Sequence, residues 1–292
     1  MILKSVRDNK IKTGFIVTLF VVFIAIFIYF ISLLLFEDAY IAVVMGVIFS
    51  LASSIGSYYN SDKIVLRLNK AREATREEFL QLNVVLEGLC IAASLPQPKL
   101  YVIDSEALNA FATGRNPKNS VICITTGLLN KLDKYELEGV LAHELSHIRN
   151  YDILLSTIAI VMVGFVVIIS DSITRGLIYH NSDRNSKGNA IIILIGLIFV
   201  VLAPIFAELL KLAISRNREY LADASAVELT RNKEGLISAL RKLTNDKHEL
   251  TVNKASASLY IVNPLKKQKA KNSLWSTHPE IENRIAALEG IN

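Results

Sequence analysis

Uncharged positions gather into four long runs, 13–36, 39–61, 153–170 and 189–207, each near the ~20 residues a helix needs to cross hydrocarbon. Only Glu37 and Asp38 separate the first two, so the chain turns straight back there as an antiparallel helical hairpin. The third and fourth runs are shorter and carry Gly164, Gly196 and Pro204; they form either a second crossing hairpin or a pair of buried core helices. Along the second run Gly46, Ser50, Ser53, Ser54 and Ser57 recur at three- and four-residue intervals, a small-residue stripe suited to close helix packing rather than transport.

Between the runs the periodicity changes. Residues 62–95 mix charges with Ile64, Leu68, Phe79, Leu82, Val85, Leu86 and Leu89, which predicts a helix that leaves the hairpin and packs on a polar domain until Pro96 and Pro98 end it. In KLYVIDSEALNAFATGRNPKNSVICITTGLL the β-rich runs 100–103, 110–113 and 121–125 are separated by turn-forming residues, which predicts a small sheet. Asp133 with Glu136 has the form of a capping box, and Leu137, Leu141, Leu145 and Ile148 follow at helical spacing, so an amphipathic helix starts there. Further helical segments are expected around RNREYLADASAVEL, EGLISALRKL and STHPEIENRIAAL, and no internal repeat is present.

Composition strengthens the membrane reading. Hydrophobic residues make up 52% and charged ones 20%, more apolar than an ordinary soluble domain, which points to a mainly α integral membrane protein. Lys4, Arg7, Lys10 and Lys12 precede the first hairpin and Lys63, Arg67, Lys70, Arg72 and Arg76 follow it, whereas its tip carries neither Lys nor Arg. The positive-inside rule then places both flanks and the polar domain in the cytoplasm. The first run is too long for a cleaved signal and lacks a small-x-small site, so it is an anchor. Arg175, Arg184 and Lys187 in the loop 171–188 weigh against translocating that loop, which keeps the buried pair open. A net charge of +5 without an aromatic-interleaved basic motif argues against nucleic acid and for anionic lipid head groups. Cys90 and Cys123 suit neither a disulfide framework nor a paired metal site and read as core thiols.

The candidate chemistry lies in LAHELSHIRNYD, residues 141–152. His143 and His147 are about 40° apart around a helix, so both imidazoles project from one side and can share a metal. Glu144 is rotated about 100° from His143, placed to hold a water rather than to join the pair. This suits hydrolysis: zinc lowers the pKa of its water to about 7, Glu144 takes the proton, and a peptide carbonyl is attacked. A catalytic zinc needs a third protein ligand. Glu219 is the first choice, because Asp223 follows on the same helical face and can hold a ligating histidine; Glu208, against the apolar run, is the competitor. In STHPEIENR, Thr277 and Pro279 mark a helix start, with His278 at its N-terminus and Arg284 within two turns. Either His278 or Arg284 can steady an oxyanion, unless the segment is only a helix cap with a solvent-exposed arginine. His147 and Glu219 flank the third and fourth runs, so the chain between them must return; if it does so as a crossing hairpin, helical rise sets the zinc roughly 9 to 18 Å above the hydrocarbon edge.

PKLYVIDSEALNAFATG, ITTGLL, LEGVLAHELSHIRNYD, REYLADASAVELT and STHPEIENRIAAL occur in this order, interleaved with the uncharged runs. In that combination the chain resembles the HtpX family of membrane zinc metalloproteases, relatives of the prenyl-protein (CAAX) endopeptidases. The resemblance implies about four transmembrane helices plus a zincin-like α+β catalytic domain with a small sheet. It implies one Zn2+ per chain, held by His143, His147 and Glu219, with Glu144 as base. It also implies a stress-response, quality-control enzyme of the cell membrane that cleaves misfolded or damaged membrane proteins at the cytoplasmic face. An extended substrate in such proteases pairs with a strand edge beside the zinc; the matching residues are Asn109, Ala110, Phe111, Ala112, Thr113 and Gly114, unless they form simply a core strand. The expected division is a hairpin over 1–61, catalytic parts over 62–152 and 208–292, and a second hairpin over 153–207. A prenyl-protein protease and a non-enzymatic membrane adaptor are the alternatives, the former needing more spanning helices than four runs supply. The Lys-rich loop from Lys266 to Lys271 departs from the pattern, and nothing in the sequence sets an oligomeric state.

Overall fold

Helices α1 (Ile2–Leu35) and α2 (Ala39–Leu68) contain the first two uncharged runs and pack against each other. The computed structural model describes residues 2–35, 39–162, 216–250, 256–262, 264 and 279–291. Among these no helix is long and apolar enough to cross a membrane; the side chains of residues 27–43, around the turn-back, lie outside the described ones. So do the third run from residue 163, the whole fourth run, the loop 171–188, Glu208, His278 and the Lys-rich loop. Where side chains are described, Ile11, Phe15, Val22 and Ile26 of α1 and Ile48, Leu51 and Ile55 of α2 stand exposed. The third run begins as helix over 152–162, and its Ile153, Leu155, Ile158 and Ile160 are buried. Thr157 within it shares a hydrogen bond of 3.0 Å with the Thr113 hydroxyl.

The helix expected over 62–95 is in fact two. Past Leu68 the Asn69 amide donates back to the Val65 carbonyl at 2.8 Å, Lys70 takes a φ of 54°, and the short strand β1 (Arg72–Glu73) precedes α3 (Arg76–Ala93). The cause is local. Thr75 and Glu78 form a reciprocal capping box that starts a new helix. Between Leu68 and Phe79 no apolar residue exceeds alanine, so no continuous stripe holds one helix to the core.

The three β-rich runs become β2 (Lys99–Ile103), β3 (Ala110–Asn116) and β4 (Asn119–Thr125), and with β1 they form a mixed sheet in the order β1-β2-β4-β3. β3 and β4 are an antiparallel hairpin while β2 runs parallel to β4. Gly114 has a φ of 138°, where a Cβ would stand 2.8 Å from the Ser120 Cα. β3 is thus left at an edge of the sheet, facing the helix that carries His143 and His147.

That helix, α5 (Lys134–Arg149), follows α4 (Thr126–Lys131) and packs on β3, α3, α6 (Arg216–Thr230) and α7 (Lys233–Asn245). α8 (Ile281–Glu289) closes the far side on α6 and α7. The expected capping box starts α5: Asp133 Oδ1 accepts from the Tyr135 and Glu136 N–H groups at 2.8 and 3.0 Å, and Glu136 accepts from the Asp133 N–H at 2.8 Å. The expectation of an amphipathic helix is corrected, because α5 is enclosed: alongside Leu137, Leu141, Leu145 and Ile148, the polar His143, Glu144 and Ser146 are buried. Cys90 and Cys123 are buried free thiols.

The crossing of α5 and α7 is backbone against backbone. A Cβ at Gly139 would stand 2.8 Å from the Leu236 Cα and nitrogen, and one at Gly235 would run into the Tyr135 carbonyl. Gly139→Ala is therefore expected to force the two helices apart at a cost of about 1 to 3 kcal/mol. The check is the thermal unfolding midpoint of the purified full chain; a midpoint equal to wild type would show slack at the crossing.

Candidate metal centre

α5 presents His143 and His147 on the side that meets α6, with their rings edge to face and their Nε2 atoms 3.2 Å apart. Glu219, in the first turn of α6, completes a triangle: Oε2 lies 3.7 Å from His143 Nε2 and Oε1 lies 3.7 Å from His147 Nε2. Their donor atoms lie within 4.8 Å of one another, so these three residues can hold a metal ion. Tetrahedral bonds to nitrogen and oxygen of about 2.0 to 2.2 Å require ligand-to-ligand edges of roughly 3.3 to 3.6 Å. The observed 3.2 and 3.7 Å separations fit that requirement. Two imidazoles and one carboxylate are also a donor set that zinc takes in catalytic sites, where one position stays open.

Each imidazole turns its other nitrogen to a carboxylate. Asp223 Oδ1 lies 2.9 Å from His143 Nδ1, and Arg284 grips the same carboxylate through Nε at 2.8 Å and Nη2 at 2.6 Å. Asp152 Oδ2 lies 3.1 Å from His147 Nδ1. The other Asp152 oxygen accepts from the buried Asn9 amide at 2.7 Å, and that amide also donates to the Asn150 carbonyl at 2.9 Å. Such partners set ring orientation and leave Nε2 aimed at the shared position. Asp152 reaches back to His147 because α5 stops at Arg149 and Tyr151, at a φ of 59°, reverses the chain.

Burial and charge separate the titrating groups. Burial lifts the Glu144 carboxyl to about 7; Glu219 adds to the rise, while His147, Arg284 and the Ala112 N–H oppose it. Burial, followed by the Arg284 charge, holds His143 below the ordinary imidazole range against the pull of Asp223. Burial also opposes a charge on His147, but the Asp152 contact and the charges of Glu219, Asp152 and Glu144 outweigh it and raise the group to about 9. Burial would raise Asp223, yet Arg284 and His143 keep it ionised well below the usual carboxylate range. A carboxyl poised near neutrality beside a metal-binding cluster has the properties a general base needs.

The structure sorts the remaining sequence candidates. Arg284 is not a solvent-exposed arginine on a cap: it is 0% exposed and sits behind His143, with Nη1 3.5 Å from Glu219 Oε2. Its helix starts at Ile281, with Glu280 in extended conformation as the N-cap, while Thr277 lies outside the described residues. Just before β3, the Asn109 side-chain amide donates to the Val262 carbonyl at 2.7 Å, and at the strand's first residue the Ala110 carbonyl accepts from the Ile261 N–H at 3.1 Å. Phe111 is buried against Tyr260, ring centroids 4.9 Å apart, and the Gly114 N–H donates to Thr157 at 3.3 Å. Segment 256–262 therefore occupies the start of the β3 edge, and Ala112 is the strand residue whose backbone reaches Glu144.

Sequence reasoning missed Asp152, Asn9 and Arg218, whose Nε stands 3.6 Å from Asp152 Oδ1. The first had a signal, since Asp152 closes the same HELSHIRNYD segment immediately after the helix stops. Asn9 had none, lying 143 residues from its partner.

Residues 75–292 match Peptidase family M48. A protease HtpX homolog of Dictyoglomus turgidum is 46% identical over 98% of this chain and 93% of its own length. Another, of Listeria monocytogenes serotype 4a, is 44% identical over the whole of both chains. Among solved structures, S. mikatae Ste24p superposes with a TM-score of 0.50 at 22% identity over 98% of this chain and 67% of that one, a likeness of fold alone. Because the family match takes in both arms of the metal-binding cluster and identity at this level runs the full length, the chain belongs to peptidase family M48, among the HtpX proteases, and is a metalloprotease rather than a non-enzymatic adaptor.

Proposed function

We propose that the chain is a zinc-dependent endopeptidase, anchored in the cell membrane by α1 and α2, that cleaves misfolded or damaged membrane proteins at the cytoplasmic face. The observation that carries this reading is the 3.2, 3.7 and 3.7 Å triangle of His143, His147 and Glu219 with the buried Glu144 beside it. The three residues are the zinc ligands. The ion, when bound, supplies Lewis acidity that polarises a peptide carbonyl and eases deprotonation of water.

Everything else falls to the chain. Glu144 accepts a proton from water on its carboxylate, and its raised pKa lets it pass that proton on to the departing amine nitrogen. Asp223 and Asp152 keep both Nε2 atoms turned inward. Arg284 acts through Asp223 and His143 as a positioning residue, which leaves His278 as the sequence-derived candidate for steadying the oxyanion. An extended substrate adds to the β3 edge at Ala112, beyond the point where Asn109 and Ala110 are already paired with 261–262. The Ala112 N–H, directed at Glu144, then aligns substrate, base and metal along one strand.

The membrane setting is supported by the uncharged runs of α1 and α2, their exposed apolar side chains and the basic residues at both flanks. The hairpin 1–61 is then the anchor, and 62–152 with 208–292 makes up the catalytic unit on the side of both termini. In the proposed hairpin 153–207, the described start is a helix embedded in protein.

Glu144→Gln should retain stoichiometric zinc and lose about 10²- to 10⁴-fold in cleavage of an unfolded model protein; equal cleavage by the variant refutes the base assignment. Because Glu144 works only when deprotonated and a neighbouring dication favours the carboxylate, activity should fall as pH drops through a midpoint at or below about 7. A rate–pH profile flat across that region would remove Glu144 from the proton path. Asp152→Asn and Asn9→Ala should each weaken zinc binding by about 10- to 100-fold, read by competition with a chromogenic chelator; wild-type affinity in both would detach the α1 contact from the metal site.

A further inference from the structure

Where α1 meets the catalytic unit, a cavity of about 910 Å³ opens between α1, the end of α3, the β3–β4 turn and the start of the helical run 152–162. Its lining includes Lys10, Arg115 and Lys118 but no Asp or Glu. Along α1, Lys10 precedes the uncharged run that begins at Thr13, while Val17, about two turns further along, lines the cavity together with Leu154 and Leu95. Arg115 is held in place, its Nη1 donating to the Tyr59 carbonyl at 2.9 Å, its Nη2 donating to the Asn119 side-chain oxygen at 3.0 Å, and its guanidinium 5.1 Å from the Tyr59 ring centroid. The Lys10 ammonium stands 4.5 Å from the Tyr151 ring centroid, and Lys118 is exposed at the turn.

We propose that this cavity binds an anionic phospholipid, its phosphate among Lys10, Arg115 and Lys118 and its glycerol and first acyl carbons against Val17, Leu95 and Leu154. Three cations without a counter-charge in the lining favour an anionic occupant, and the apolar side chains of Val17, Leu95 and Leu154 favour one with a hydrocarbon tail. The volume suits a head group and glycerol backbone. The proposal rests on the reading that α1 enters the bilayer near Thr13, which puts Lys10 at the head groups and Val17 at the start of hydrocarbon. Lys10 and Tyr151 of the lining are chain neighbours of Asn9 and Asp152, which contact each other beside His147.

The test uses the full chain in detergent, equilibrated with mixed micelles of phosphatidylglycerol and phosphatidylcholine, with retained lipid counted by native mass spectrometry. Phosphatidylglycerol should be retained in preference. Lys118→Gln and Lys10→Gln should each reduce its retention by roughly five-fold, while Lys247→Gln, an exposed cation outside the cavity, leaves it unchanged. Equal retention of the two lipids, an equal loss in Lys247→Gln, or displacement by inorganic phosphate or glycerol phosphate would overturn the proposal, the last by reducing it to a simple anion site. Alkaline carbonate extraction of native membranes reads the anchor separately. A chain that stays in the pellet without lipid preference defeats the lipid site alone; one that washes off defeats the anchor reading and the proposal with it.

Discussion

The fully buried pair of Arg284 and Asp223 is the constraint on which the centre depends. An ion pair taken out of water costs several kcal/mol per charge unless geometry and further hydrogen bonds recover it. Here the guanidinium spans both carboxylate oxygens at 2.8 and 2.6 Å, and one of those oxygens also meets His143 at 2.9 Å. The pair thereby ties α8, α6 and α5 into one unit. Losing either partner would leave the other charge stranded, a penalty of about 3 to 5 kcal/mol, so the three helices are committed to one arrangement before any metal arrives.

The same logic governs the rest of the cluster. Two imidazoles and a carboxylate are brought together in a dry interior, where burial and the Arg284 charge lower the pKa of His143 while Asp152, Glu219 and Glu144 raise that of His147. In the proposed function a divalent ion would take up all three donors, and its binding would then be coupled to the stability of the α5–α6 contact. Glu144 is kept out of that set by its rotation around α5. Its buried position, with the Ala112 N–H in reach, preserves it as a carboxyl balanced between its two protonation states.

On the other side of the site, Asn9 binds Asp152 and Asn150 at once, so the first turns of α1 become part of the scaffold behind His147. A helix that exposes apolar side chains such as Val22 and Ile26 is thus coupled at its polar start to a histidine of the candidate metal cluster. The helix that carries the first uncharged run also holds the carboxylate that faces His147.

Local chemistry made a good part of this legible in the residue order. The capping box at Asp133 and Glu136, the spacing of His143 and His147, and the three β-rich runs each depend on neighbours within a few positions, and each appears in the structure where its pattern lies. Thr75 and Glu78 obey the same local rule, yet hydrophobic spacing on either side masked the break they make. What only the tertiary structure decided is how distant segments meet. The enclosure of α5, the burial of Arg284, the closure of the β3 edge by 260–262 and the reach of Asn9 to Asp152 all follow from packing between distant segments: the Arg284–Asp223, Asn9–Asp152 and Asn109–Val262 contacts span 61, 143 and 153 residues, separations that local periodicity cannot encode. A sequence states which side chains can bind a metal or a proton; desolvation and partner charges, which set whether they do, exist only once the chain has folded around them.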